Sequence, residues 1–230
     1  MIMVNGNTWP FQTVQQRRYR FRVLNGCQSR FLILDFSQIP GVEVWAIGNE
    51  GGFLSTPVNL TATNGNQLLM ALAERADLIV DFTNVPVGNH ILHNVGPDEP
   101  FDGDLEPADP ASTGQILQFR VVPATAPPDR TTPPQFLQLP AITPLPNETK
   151  TRPLALIEQA GIGFDADGNE VEGPVAALLG VVDATGMTVV KLWEDEVTEN
   201  PASATPRSGS STTPPLTRIP CTSMRWPSRW

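Results

Sequence analysis

Residues 17–26 read RRYRFRVLNG. Arg18, Arg20 and Arg22 alternate with Tyr19, Phe21 and Val23, which is the period of a strand with one wet face and one buried face. Asn25-Gly26 supplies the tight connection that ends such a strand. The run after it, RFLILDF at 30–36, is apolar enough to need no clean alternation, as expected of a strand buried on both faces.

Working outward, the same grammar repeats. Val42, Val44 and Ala46 alternate with Glu43, Trp45 and Ile47 until Gly48, Gly51 and Gly52 break the run, which predicts a bulge or loop. Two apolar runs in LLMALAERADLIVDF (68–82) are split by Glu74, Arg75 and Asp77, a short strand follows Gly88-Asn89, and GQILQFRVV (114–122) closes the set. Seven or eight short strands at regular spacing over residues 1–122 predict a β-sandwich.

The composition agrees. In 230 residues there are 24 Pro and 18 Gly, and a hydrophobic fraction of 40% sits beside a charged fraction of 17%, which favours turns and strands over helices. A formal net charge of -9 argues against nucleic acid or an anionic membrane as partner, because phosphate binding depends on clustered Lys and Arg. The one basic cluster, Arg17–Arg22, is explained by its strand period. No apolar run approaches twenty residues and no charged-then-apolar leader stands at the N-terminus, so no membrane-spanning or targeting segment is predicted. Cys27 and Cys221 do not make a disulfide framework, and the compartment stays open.

Pro residues at 123, 127, 128, 133, 134, 140, 144 and 146 predict an extended linker or wrapping arm over 123–150. Apolar runs resume in RPLALIEQ, VAALLGVV and MTVVKLWEDEV, as the opening strands of a second, incomplete domain over 151–202.

Chemical motifs are sparse. His90 and His93, spaced i, i+3 on a strand, point to opposite faces and cannot chelate one ion together. DADGNEVEG (165–173) places Asp165, Asp167 and Asn169 like the start of a calcium loop, but Glu170 replaces the required Gly and Ala176 the bidentate Glu, so a solvated turn is expected. The glycines of GVEVWAIGNEGG lack phosphate-loop spacing. Asn59 and Asn147 begin glycosylation acceptor triplets, which matter only in a eukaryotic secretory setting. No nucleophile–base signature is visible. These residues alone predict no catalytic, cofactor-binding or metal-binding position.

The phrases VNGNTWPF, YRFRVLNGCQSRFLILDF, ALAERADLIVDF, NVGPDEPF and GQILQFRV, in this order, resemble the middle domain of bacterial multicopper oxidases of the spore coat protein A and bilirubin oxidase-like laccase group, and LWEDEVTENPA resembles the opening of their third domain. The resemblance runs from Ile2 to about Ala202. It implies cupredoxin-like Greek-key sandwiches. It also implies oxidation of phenolic or bilirubin-type reductants coupled to four-electron reduction of dioxygen to water, at a type 1 copper and a trinuclear copper cluster. Those centres need many imidazoles and a thiolate. The family supplies them from the first and third domains, while the middle domain holds no copper. With two His in the whole chain, this sequence is expected to bind no copper by itself and to be inactive alone, its missing partners being the first and third domains. A non-enzymatic β-sandwich interaction module is the competing reading.

All 24 Asp and Glu lie at or before Glu199, and residues 203–230 have none. Read one base out of phase, TPRSGSSTT permits Thr-Glu-Val-Trp-Glu-Leu-Tyr-Asn and RIPCTSMRWPS permits a His-Pro-Met-His-Val-His copper motif. The tail at 203–230 is therefore expected to be disordered, and a shifted frame is favoured over a genuine Ser/Thr/Pro-rich tail because disorder predicts no recoverable motif.

Overall fold

The computed structural model describes residues 2–98, 101, 106–125, 127–144, 147, 150–164, 167–198, 200 and 207–212. The chain divides into two compact units, residues 1–142 and 143–230.

Unit 1 carries eleven described strands: β1 Met3–Val4, β2 Asn7–Thr8, β3 Phe11–Gln15, β4 Arg18–Leu24, β5 Leu32–Asp35, β6 Glu43–Asn49, β7 Gly52–Asn59, β8 Gln67–Met70, β9 Arg75–Asp81, β10 Gly88–Asn94 and β11 Gln115–Val122. A single helical turn, Leu60–Thr63, is capped by the Asn59 side chain, whose Oδ1 accepts from the Ala62 N–H at 3.1 Å. β1 and β2 form a small hairpin turned by Asn5 (φ +51°) and Gly6 (φ +80°), the left-handed pair that suits a two-residue hairpin.

The remaining strands make a five-stranded sheet, ordered β3-β11-β10-β5-β8, and a four-stranded sheet, ordered β4-β9-β6-β7. All pairings are antiparallel except β3 with β11, which run parallel with Phe11 opposite Gln118 and Gln15 opposite Val122. The expected alternation is present in β4, where Tyr19, Phe21 and Val23 pack on the core and Arg20 and Arg22 are exposed. The expected bulge lies in β6, where the register shifts between Ala46 and Gly48.

Side chains from both sheets meet in one core, including Val14, Leu34, Val44, Leu78, Val80, Leu92, Phe119 and Val121. Phe82, fully buried, ties the sheets together: its ring meets Tyr19 edge-on at 6.0 Å and Phe119 at 4.9 Å. Two asparagines seal polar backbone inside this core. Asn25 donates to the carbonyls of Arg30 (2.9 Å) and Met70 (3.1 Å). Asn94 bridges β5 and the loop after β10.

The Pro-rich stretch beyond β11 is fastened to the strands of unit 1 by hydrogen bonds as far as Thr131. Gln15 bonds Thr125, Arg17 donates to the Pro127 carbonyl at 3.3 Å, and Arg18 holds Asp129 and Thr131. A 3-10 turn at Pro134–Phe136 interrupts the extended run, with Pro at the position where a missing N–H costs nothing.

Unit 2 has four described strands, β12 Lys150–Phe164, β13 Glu170–Val182, β14 Thr188–Lys191 and β15 Arg207–Thr212, in one sheet ordered β14-β13-β12-β15. The run RPLALIEQ continues as β12 through Gly161 and Gly163 to Phe164; a Cβ on Gly161 would meet the Val175 Cγ1 at 2.6 Å, so glycine lets the hairpin strands close there. MTVVKLWEDEV yields only four strand residues, because the Asp195 carboxylate accepts the Leu192 N–H at 2.9 Å and turns the chain. Of the 203–230 tail, expected to be disordered, only Arg207–Thr212 fall among the described residues. They pair in parallel with Lys150–Ala155: small Ser, Gly and Thr residues still offer a backbone ladder.

The all-β sandwich expected from the sequence is the fold found in unit 1. Among the described residues no helix is long and apolar enough to cross a membrane.

Candidate functional site

The two histidines lie on β10, which puts residues three apart on opposite faces of the sheet. Each ring is already engaged with main chain: His90 Nε2 lies 2.8 Å from the Pro86 carbonyl, and His93 Nδ1 3.3 Å from that of Gly114. Cys27 is a free, half-buried thiol packed against the core, and Cys221 lies outside the described residues. Among the described residues no three His, Cys, Asp or Glu side chains converge as a metal site would require.

The basic stretch on β4 is matched by carboxylates. Arg18 reaches Asp81 at 3.7 Å and Asp129 at 3.4 Å. Arg20 forks onto Asp77 at 2.8 and 2.5 Å and lies 5.5 Å from the centre of the Phe53 ring. The hydrogen bond to Asp77 raises the Arg20 pKa above its already high ordinary value. These paired cations do not form a track for phosphates.

A polar cluster holds the loop after β10. Asp98 accepts from the Thr113 hydroxyl at 2.7 Å and from the Asp109 N–H at 3.4 Å, and pairs with Arg30. The Thr113 hydrogen bond, followed by those from Asp109 and Arg30, outweighs burial and holds the Asp98 carboxyl below the usual aspartate range. Phe31 and Phe101 stack beside it with centroids 4.9 Å apart. The cluster is fully engaged in fastening two loops.

Two shallow clefts mark unit 1. One, of about 210 Å³, lies beside β3 and β11 and is lined by Trp9, Phe11, Ile91, Leu117 and Arg120, the Arg120 guanidinium sitting 3.4 Å from the Phe11 ring centre. The other, of about 280 Å³, lies beside the arm between Arg17 and Pro128. Both fall below the roughly 300–1,000 Å³ of small-molecule sites.

The remaining sequence candidates fall in turns, at a bulge or in irregular chain where they are described. Gly48 sits at the β6 bulge and Gly51-Gly52 at the β6–β7 turn. Asp167, Gly168 and Asn169 lie in the β12–β13 connection, whereas Asp165 is outside the described residues. Asn59 caps the helical turn, and Asn147 is in irregular chain.

What unit 2 presents is apolar surface. Ala155 is its only described buried apolar side chain, while Phe164, Leu179 and Trp193 are 70%, 60% and 95% exposed. Among the described residues this single sheet, with apolar side chains on both faces, has no second layer of the kind domains are built from.

No family model matches the chain. It is 32% identical over 200 residues to a laccase of Bacillus subtilis (strain 168), covering 87% of this chain and 33% of that protein. It is 36% identical over 171 residues to multicopper oxidase LPR1 homolog 3 of Oryza sativa subsp. japonica, covering 69% of this chain and 30% of that protein. The chain belongs to the multicopper oxidase-like family. The crystal structure of McoA multicopper oxidase from the hyperthermophile Aquifex aeolicus shares the fold, with a TM-score of 0.54 at 23% identity over 89% of this chain and 39% of that one. This chain thus spans about a third of the length of the curated relatives it matches.

A multicopper oxidase implies copper, and the donors described here do not fit it. A type 1 centre takes two imidazoles and a thiolate converging on one ion, whereas His90 and His93 diverge and both rings hold carbonyls.

Proposed function

We propose that this chain is the copper-free scaffold portion of a multicopper oxidase. In this reading residues 1–122 are the middle cupredoxin domain, 123–150 the connecting arm, and 151–202 the start of the copper-bearing third domain. The intact enzyme oxidises phenolic or bilirubin-type substrates and reduces dioxygen to water, with copper held by the first domain and the rest of the third. The 230-residue chain alone binds no stoichiometric copper and is inactive.

The observation that carries this reading is the contrast between the units. Residues 1–142 enclose a core shared by two sheets, whereas the sheet of unit 2 has Ala155 as its only described buried apolar side chain. The family matches supply the chemistry, and the donor count limits it: two His and two Cys in the whole sequence cannot furnish both a type 1 site and a trinuclear cluster.

The test is to express the chain with added copper, measure bound metal, and follow oxygen uptake with a phenolic or azine-type dye. Sub-stoichiometric copper and no oxygen-dependent turnover are expected. Copper at full stoichiometry with turnover would overturn the proposal. Translating all frames of the coding DNA across the codons for Pro201–Ser203 tests the shifted-frame origin of the tail, for which a recovered histidine motif is the expected result.

A further inference from the structure

Three Asn-Gly steps occur in the chain, Asn5-Gly6, Asn25-Gly26 and Asn64-Gly65. Glycine has no Cβ to shield its amide nitrogen, so that nitrogen can attack the side-chain carbonyl carbon of the preceding asparagine. The fold holds the three steps differently. Asn25 is 1% exposed; its Nδ2 donates to the carbonyls of Arg30 and Met70, its Oδ1 accepts the Cys27 N–H, and its main chain is bonded to Ala73 and Glu74. Asn64 is exposed, but its Nδ2 donates to the Gln67 carbonyl at 2.8 Å and its N–H to that of Leu60 at 2.9 Å. Asn5 is exposed, and among the described residues its side-chain amide has no hydrogen bond, while its main-chain carbonyl accepts from Asn7 Nδ2 at 3.2 Å.

The hairpin around Asn5 is slight. Two strand pairs close it, Met3 with Thr8 and Val4 with Asn7, and a two-stranded hairpin this short is marginal by itself. Among the described residues the Gly6 N–H donates to no carbonyl, and a Cβ on Gly6 would meet nothing within 4 Å. Opening of those two pairs frees the Asn5 main chain to bring the Gly6 nitrogen onto its Cγ. We propose that Asn5 is a site of spontaneous deamidation in the folded chain, ahead of Asn64, with Asn25 protected. The Gly6 nitrogen gives up its proton to base and bonds to Asn5 Cγ; the Cγ–Nδ2 bond breaks, ammonia leaves, and a five-membered succinimide remains. Water opens that ring at either carbonyl, giving aspartate or isoaspartate, with no change of oxidation state. Either product adds a negative charge, and isoaspartate adds a main-chain carbon to a turn whose two residues sit at φ +51° and +80°. The register of Val4 opposite Asn7 is then lost, which loosens Ile2 and Val4 from the core they pack on. The reaction needs only this chain and water and does not rest on the copper reading.

The experiment is incubation of the full chain at mildly alkaline pH, folded and in urea, followed by tryptic mapping with mass spectrometry. The three steps fall in separate tryptic peptides, 1–17, 23–30 and 31–75. In the folded chain Asn5 is expected to convert several-fold faster than Asn64, to a mixture of isoaspartate and aspartate, with Asn25 unchanged. In urea the three rates should converge. Gly6→Ala should slow conversion of Asn5 in urea as well, which separates attack by the residue-6 nitrogen from any effect on the hairpin. Asn5 no faster than Asn64 in the folded chain, aspartate as the only product, Asn25 converting alongside Asn5 before unfolding, or the same ratio of rates kept in urea would overturn the inference.

Discussion

Asn94 is 2% exposed, and its amide is used on every side. Its Oδ1 accepts the N–H groups of Ile33 and Gly96, each at 3.0 Å, while its Nδ2 donates to the carbonyls of Thr113 at 3.2 Å and Gly96 at 3.4 Å. Asn94→Leu keeps the volume and removes all four bonds. Two backbone donors are then left without their acceptor at about 2 kcal/mol each, and the added apolar burial offsets about 1–2 kcal/mol, for a net loss of about 2–3 kcal/mol. For a unit of this size that corresponds to a melting point lower by about 8–12 °C. The assay is urea and thermal unfolding followed by circular dichroism, with the urea slope checked for constancy. Asn94→Asp supplies the sign test. A carboxylate facing two carbonyls in a buried site has its folded pKa raised above the unfolded value near 3.9. The variant therefore keeps most stability below that value and loses it as pH rises through the folded pKa, so its deficit against wild type should widen from pH 4 to pH 7. A leucine variant within about 0.5 kcal/mol of wild type, or an aspartate variant whose deficit shrinks with rising pH, would refute the reasoning.

Gly41 has φ +77°, and a Cβ there would lie 2.4 Å from the Asn84 carbonyl oxygen; Gly41→Ala should cost about 1–3 kcal/mol or more by the same unfolding assay. The depressed pKa of Asp98 contributes stability that is present above the ordinary aspartate range near 3.9 and lost as pH falls through the folded value, so Asp98→Asn should flatten the acid limb of a melting-point profile between pH 5 and pH 2. Arg18→Ala removes the side-chain hold on Asp129 and Thr131, leaving only the residue-18 N–H bonded to Asp129, and tryptic cleavage after the exposed Arg130 should accelerate several-fold with little change in the melting point of unit 1.

The strands of unit 1 were legible because each carries its own signal: alternation in Tyr19–Val23, turn residues at Gly51-Gly52, and glycine at the β6 bulge; Asn25-Gly26, expected to make a tight connection, instead opens a seven-residue crossing from β4 to β5 in the other sheet. The roles of Asn25 and Asn94 were not, since nothing local distinguishes a buried asparagine that satisfies distant carbonyls from one in an exposed turn. The same holds for the Pro-rich arm, whose composition reads as extended but whose fastening depends on Gln15, Arg17 and Arg18 more than a hundred residues earlier. The continuation of β12 through Gly161 and Gly163 was hidden because glycine reads as a breaker until Val175 is seen pressed against it. The candidate site was legible mainly as arithmetic, two histidines at a spacing that sends them to opposite faces. The carbonyls that engage their rings come from Pro86 and from the distant Gly114, and only the folded chain places them.

The parallel pairing of β3 with β11 has a consequence in time. Phe11 finds Gln118 across 107 residues of sequence (118 minus 11), so the edge of the five-stranded sheet stays unpaired until nearly the whole sandwich has been synthesised. At about 5–20 residues per second that interval is on the order of 5–20 s. Non-local pairing of this kind slows folding, because loop closure must precede the contacts that reward it. Through that interval Phe11–Gln15 is a loose, largely uncharged strand tethered near the start of the chain, and chaperone capture during synthesis should be strongest before Val122 has left the ribosome.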